Sequence, residues 1–326
     1  MLLPFGELKS IPDMREGHYL PGLKRGLSMK VHLAKSAGFC LGVKRALRIA
    51  ADTAAGGGQV FMLGELVHNE HVLRDIERQG ITRIRRLSKG KGPRTLLICA
   101  HGAPDSVMKR ARRLGYSIVD ATCPMVRHIH RVAVDMEDYG RTVIVIGDRD
   151  HDEVKGIIGQ LKHKAIVVDD PSRMPVEKLR KLRKAAVVVQ STQDAAKVGR
   201  IVATLRTLVK DIQFHNTICK PTGQKQKEIM SLAKGNDVVI VIGSVTSANT
   251  TRLFEISKAI NPKTYQIGSA KDMKPDWFAG ARKVGVSAGA STPDSLTNEV
   301  AEKLSRMKVV SAASVGLRGK LRILDA

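Results

Sequence analysis

The chain has 326 residues, 43% of them hydrophobic and only 3% aromatic, and its 55 basic against 31 acidic residues give a formal charge of +24. This is the composition of a folded globular chain rather than a disordered one. No apolar run reaches the ~18 residues that would span a bilayer, and four cysteines over this length do not make a disulfide framework. The charge favours anionic partners (phosphorylated substrates, acidic redox proteins or nucleic acid), while the scarcity of aromatics counts against base stacking.

Residues 1–28 show no sustained period and carry Asp13, Glu16 and three prolines where a signal peptide needs a continuous apolar stretch. They are expected to be an extension before a start at Met29, with the chain remaining in the cytoplasm. From Val31-His32-Leu33 onward strand and helix alternate. Apolar runs stand at 60–63, 95–99, 142–146, 165–168, 185–189, 237–242 and 284–286. They are short, mostly rich in Val, Ile and Leu and apolar on both faces, as buried parallel strands are. Between them the sequence predicts helices over 43–54, 69–78, 104–114, 124–138, 194–208, 222–233, 249–260 and 293–306. The alternation implies an α/β architecture with parallel sheets.

Three cysteines share one local setting. Cys40 follows the first apolar run and opens a helix, Cys123 follows Ile118-Val119-Asp120 and precedes Pro124, and Cys219 follows Asn216-Thr217-Ile218. Proline is favoured at the first helical turn, and a helix N-terminus lowers a thiol pKa toward the thiolate that binds metal. The near-even cysteine spacing, roughly 90 residues, suggests three small lobes. Their expected bounds are 29–122, 123–216 and 217–306, with a tail over 307–326. Cys99 lies inside an apolar strand and is expected to be core. Three thiolates suit either a zinc site completed by histidine or an iron–sulfur cluster with one non-cysteine iron, and spacing alone does not decide between them.

Polar residues and glycines collect just after the strands, where open α/β sheets place their ligands. His68, His101 and His151 each follow an apolar run, as do Ser191, the stretch Gly243 to Asn249, and Ser291. Such donors suit an anion such as phosphate. The Gly243 stretch matches neither the P-loop nor the dinucleotide fingerprint. Glu153 beside His151 reads either as a proton relay, its pKa raised by burial, or as an acid capping a helix that begins near Val154.

These stretches together resemble the 4-hydroxy-3-methylbut-2-enyl diphosphate reductase family. The resemblance runs from about Met29 to Arg306. It is carried by Ala37-Gly38-Phe39-Cys40-Leu41-Gly42-Val43, Val67-His68-Asn69, Ala100-His101-Gly102, Asp120-Ala121-Thr122-Cys123-Pro124, His151-Asp152-Glu153-Val154-Lys155-Gly156, Gln190-Ser191-Thr192, Asn216-Thr217-Ile218-Cys219, Ser247-Ala248-Asn249 and Ser287-Ala288-Gly289-Ala290-Ser291. It implies a pseudo-threefold trefoil of α/β lobes around one 4Fe-4S cluster held by Cys40, Cys123 and Cys219. It further implies a diphosphate bound by His68, His101, His151, Ser247, Asn249 and Ser291, with Ala248 and Ser191 also lining the substrate site. Glu153 would supply protons, with Ser191 and His151 as the other catalytic side chains. The implied reaction is a two-electron, two-proton reductive dehydroxylation at the open iron, ending the non-mevalonate isoprenoid pathway. Ferredoxin or flavodoxin would donate electrons, and no membrane or nucleic-acid partner is implied. Three positions depart from the family pattern. Ala248 stands where a second serine is usual, Ser191 where threonine is frequent, and Lys220-Pro221-Thr222-Gly223 replaces an alanine-containing stretch.

Overall fold

A computed structural model describes residues 29–307, so the expected extension over 1–28 and the tail beyond Met307 lie outside the described residues. Twelve strands form three four-stranded parallel sheets. The described residues begin with β1 (Lys30–Leu33) and α1 (Leu41–Ala55). The first sheet then takes β2 (Gln59–Leu63), β3 (Ile81–Ile84), β4 (Arg94–Ile98) and β5 (Tyr116–Asp120), with α2 (Glu70–Arg78) and α3 (Asp105–Arg113) between them. After α4 (Pro124–Asp138), the second sheet has β6 (Thr142–Ile146), β7 (Ile166–Val168), β8 (Lys184–Val189) and β9 (Asp211–Phe214). Its connections are α5 (Asp152–Ile158), α6 (Val176–Arg180) and α7 (Ala195–Leu208). After α8 (Lys220–Gly235) come β10 (Val238–Ile242), α9 (Ala248–Ile260), β11 (Thr264–Ile267), β12 (Lys283–Ala288) and α10 (Asp294–Arg306).

The spatial orders are β3-β2-β4-β5, β7-β6-β8-β9 and β11-β10-β12-β1. Each sheet thus places its second strand, first strand, third strand and a closing strand side by side. The closing strand of the third sheet is β1, paired in register with β12 from Lys30 against Lys283 to Leu33 against Val286. The stretch from residue 29, expected to open the first lobe, thus pairs in the third sheet, and the described residues cross to the first sheet's side at Cys40. Each closing strand is followed by a cysteine and then by a helix, which is how cysteines far apart in sequence come to equivalent places.

The central pairs β2/β4, β6/β8 and β10/β12 are the apolar runs read from the sequence. All five residues of β10 are buried, for example. The strands absent from that reading, β3, β9 and β11, are edges whose residues alternate or mix exposure. A half-solvated edge tolerates Thr82, Arg83 and Gln213, so it lacks the continuous apolar run that marks a central parallel strand.

Candidate active site

Three cysteines are N-caps: Cys40 of α1, Cys123 of α4 and Cys219 of α8. Their backbone N–H groups donate to one carbonyl each, Cys40 to Ala290 at 3.1 Å, Cys123 to Ala100 at 3.0 Å and Cys219 to Ser191 at 3.0 Å. These acceptors lie just after the third strand of each sheet, so one repeated backbone link ties every cysteine to the loop carrying a candidate ligand-binding residue. The Cys40 and Cys219 sulfurs accept from the N–H groups of Val43 and Thr222 at 3.5 and 3.4 Å. The Thr222 hydroxyl is 3.0 Å from the Cys219 sulfur.

All four cysteines are free thiols. Cys40, Cys123 and Cys219 line one cavity of about 380 Å³. Gly42 shows how close two of them come: a Cβ there would meet the Cys123 sulfur at 2.7 Å and the Cys40 sulfur at 3.8 Å. Contrary to the expectation from helix N-termini alone, burial pushes the Cys123 and Cys219 thiols above their ordinary range. Desolvation outweighs the capping N–H groups, and a bound cationic centre would reverse that balance. Three soft sulfur donors on rigid helix starts, facing one cavity and crowding a glycine, are a donor set that fits an iron–sulfur cluster. Cys99, as expected, is core; its thiol donates to the Leu63 carbonyl at 3.3 Å.

The same cavity gathers the histidines. His68 and His101 stack with ring centroids 4.4 Å apart, and His151 meets them edge-on at 5.2 and 5.3 Å. One ring nitrogen from each lies within 4.8 Å of the others, a set that could grip a metal ion as well as an anion. Burial lowers His101 well below its usual range and holds His151 at about 4. His68 Nε2, His101 Nδ1 and Asn249 Nδ2 are buried without a hydrogen-bond partner. Buried polar nitrogens are ordinarily satisfied, so a cavity faced by unmet ones calls for a ligand. Ser247 caps α9 through the Thr250 N–H at 3.4 Å, and Ser291 donates to the His68 carbonyl at 3.1 Å. Ala248, the first residue of α9, adds no side-chain donor but lines the cavity with its neighbours.

Glu153 lines this cavity too. It is 1% exposed and accepts from the Ser191 N–H at 2.6 Å and the Ser191 hydroxyl at 2.9 Å. Burial raises its pKa to about 7, against the lowering effect of both Ser191 bonds. The side-chain N-cap of α5 is His151, its Nδ1 accepting the Glu153 N–H at 3.1 Å, while Glu153 stands in the first turn with its carboxyl bonded to Ser191. All the site residues expected from the sequence therefore reach one cavity. The reading missed Thr192 and Thr222, which also line it. Thr222 stood three residues beyond Cys219, the spacing at which a side chain returns to an N-cap. It also missed Asp148 and Arg252, paired at 2.5 Å between the loop after β6 and α9, because nothing local joins residues from different lobes.

Among the described residues no helix is long and apolar enough to cross a membrane. The family model described as LytB protein matches residues 31–305. The 4-hydroxy-3-methylbut-2-enyl diphosphate reductase of Geotalea uraniireducens is 39% identical over 282 residues, covering 86% of this chain and 98% of that protein. The Aquifex aeolicus enzyme of the same name is 34% identical over 279 residues, covering 84% and 96%. A solved structure of (E)-4-hydroxy-3-methyl-but-2-enyl diphosphate reductase, the terminal enzyme of the non-mevalonate pathway, aligns with a TM-score of 0.63 at 35% identity, covering 86% of this chain and all of that one. The structure of the Plasmodium falciparum reductase aligns with a TM-score of 0.80 at 24% identity, covering 86% and 89%, and so supports the fold. With its strand-end cysteines, its histidine cluster and a match over nearly all the described residues, this chain belongs to the LytB protein family.

Proposed function

We propose that the chain is an oxidoreductase that removes the hydroxyl of 4-hydroxy-3-methylbut-2-enyl diphosphate, giving isopentenyl and dimethylallyl diphosphates and water. The reading fits the relatives' names and rests on one observation: a single cavity joins three free cysteines to a cluster of unsatisfied buried nitrogens and a buried carboxyl. Cys40, Cys123 and Cys219 would hold a 4Fe-4S cluster. When bound it supplies electrons and an iron position free of protein ligands, able to act as a Lewis acid.

The chain's own residues do the rest. His68, His101, His151 and Asn249 offer donors to the diphosphate, and Ser247 and Ser291 offer hydroxyls beside them. An anion held among these groups shares one cavity with the three cysteines. Glu153, buried and with a pKa of about 7, can both hold and release a proton near neutral pH. The Ser191 hydroxyl, 2.9 Å from it, extends its reach toward the substrate. The balance needs two electrons and two protons per substrate: one proton leaves with the hydroxyl as water and one ends on carbon. An acidic ferredoxin or flavodoxin as donor accords with the charge of +24.

The test is anaerobic purification with iron and sulfide quantitation, followed by oxidation of reduced viologen. Protein carrying about four irons that oxidises the dye only with the allylic diphosphate supports the reading; zinc without sulfide sinks it. Glu153→Gln is expected to keep its iron and lose about 10²–10⁴-fold in turnover, the usual contribution of a general acid.

A further inference from the structure

The helix that begins at Cys219 also grips the turn leading to Cys40. Lys225 on α8 is 2% exposed, and its ammonium donates to the carbonyls of Ser36, of Gly38 at 3.0 Å and of Ala288 at 3.1 Å. Those three acceptors use all three ammonium protons. One turn further along, Glu228 accepts from the Ser36 N–H at 2.9 Å and from the Ser36 hydroxyl at 2.7 Å. Residues three apart share a helix face, so one face of α8 holds both the donors and the acceptors of a single short turn. Gly38 in that turn has φ +91, and a Cβ there would strike the Asp294 carboxylate. The turn is therefore built for close approach and depends on its partners to hold it.

From this geometry we infer that Lys225 and Glu228 are positioning residues for the cofactor: they set the Cys40 sulfur against the Cys219 sulfur, and Lys225 lends the bound cluster a fixed positive charge. The inference rests on the cluster reading above. A buried lysine with every proton given to a backbone carbonyl cannot swing out to solvent without leaving three acceptors unmet, so its charge is stationary. Burial lowers its pKa to about 8 while the nearby Cys40, Glu228, Asp294 and Cys219 act to raise it, so it carries its charge at neutral pH. Reduction adds negative charge to a cluster. A fixed cation nearby stabilises the reduced form and raises the midpoint potential; a nearby carboxylate does the reverse.

The test compares wild type with Lys225→Met, Lys225→Arg and Glu228→Gln, each purified anaerobically with iron and sulfide counted. Iron release to a chelator and the midpoint potential are then followed by electron paramagnetic resonance, independently of turnover. Lys225→Met is expected to release iron about 10–100-fold faster, the scale for losing a group that orients a ligand, and to shift the potential down. Glu228→Gln is expected to shift it up, because it removes a negative charge yet still offers an oxygen to Ser36. Lys225→Arg is expected to restore the potential, and it carries the test if Lys225→Met does not fold. Shifts of the same sign in Lys225→Met and Glu228→Gln would mark mere loosening and overturn the electrostatic role. Unchanged iron release and potential in both overturn the positioning role, provided wild type carries its iron and sulfide. Wild type without them removes the cluster reading, and the inference with it.

Discussion

Glu153 carries the sharpest residue-scale consequence. As the proton donor proposed above, its carboxyl works only while protonated, and with a pKa of about 7 that state fills below neutrality and empties above it. Turnover is therefore expected to fall with rising pH above about 7, approaching tenfold per unit where proton delivery limits the rate. Ser191→Ala removes one hydrogen bond that favours the charged carboxylate. It should slow the reaction and move the falling limb to higher pH, and pH–rate profiles of the two proteins would check both. The buried imidazoles act with the opposite sign. His101 and His151 are held below the ordinary histidine range, so they are neutral in the fold where the unfolded chain would be charged. For His151 the stability this gives is present above about 6.5 and is lost as pH falls toward 4. An anion in the cavity favours the charged rings, so inorganic pyrophosphate should raise the melting temperature more at pH 6 than at pH 8. Equal shifts at both would detach the histidines from anion binding. Most of these residues were legible because each directly follows an apolar run. Lys225 was not, since a lysine in an amphipathic helix reads as surface until the turn it grips is known.

At the scale of elements, what the sequence displayed was burial on both faces. The central strands announced themselves through runs such as Val238 to Ile242, whereas β11, Thr264–Ile267, with two of its four residues half-exposed, did not. The helix starts were legible for a different reason: caps are local. Asn69 accepts from His71 and Val72, and Asp194 from Lys197, within four residues of chain. The helix α1 owes its close approach to the Cys123 sulfur to Gly42. Any side chain there must displace the Cys123 sulfur, which a Cβ would meet at 2.7 Å. Overpacking of this kind costs about 1–3 kcal/mol, spent here on moving a ligand rather than on unfolding a core. Gly42→Ala should keep its far-ultraviolet circular dichroism while losing iron on anaerobic gel filtration. Full iron retention would mean the three sulfurs tolerate more room than this packing implies.

On the scale of the whole molecule, the three sheets repeat one order, and the repeat closes only because the first described strand returns to the last sheet. Cysteine spacing suggested three lobes but could not show this closure, because parallel pairing between residues some 250 positions apart leaves no local trace in sequence. The closure has a mechanical meaning. β1 is an edge strand joined to β12 over four residues, its Val31 packed against the third core, and six residues after Ala34 the same strand delivers Cys40. Weakening that edge should therefore loosen the third lobe and the first cysteine together, while leaving the first sheet intact. Val31→Asp puts a charge against an apolar core at a cost of a few kcal/mol, since the carboxylate finds no partner there. Hydrogen exchange is expected to quicken in Lys283–Ala288 and Asp294–Arg306, with iron release quickening alongside. Gln59–Leu63 and Arg94–Ile98 should keep their protection. If the first sheet exchanged faster instead, β1 would belong energetically to the lobe that follows it in sequence, and the threefold closure would be a matter of pairing without consequence for stability.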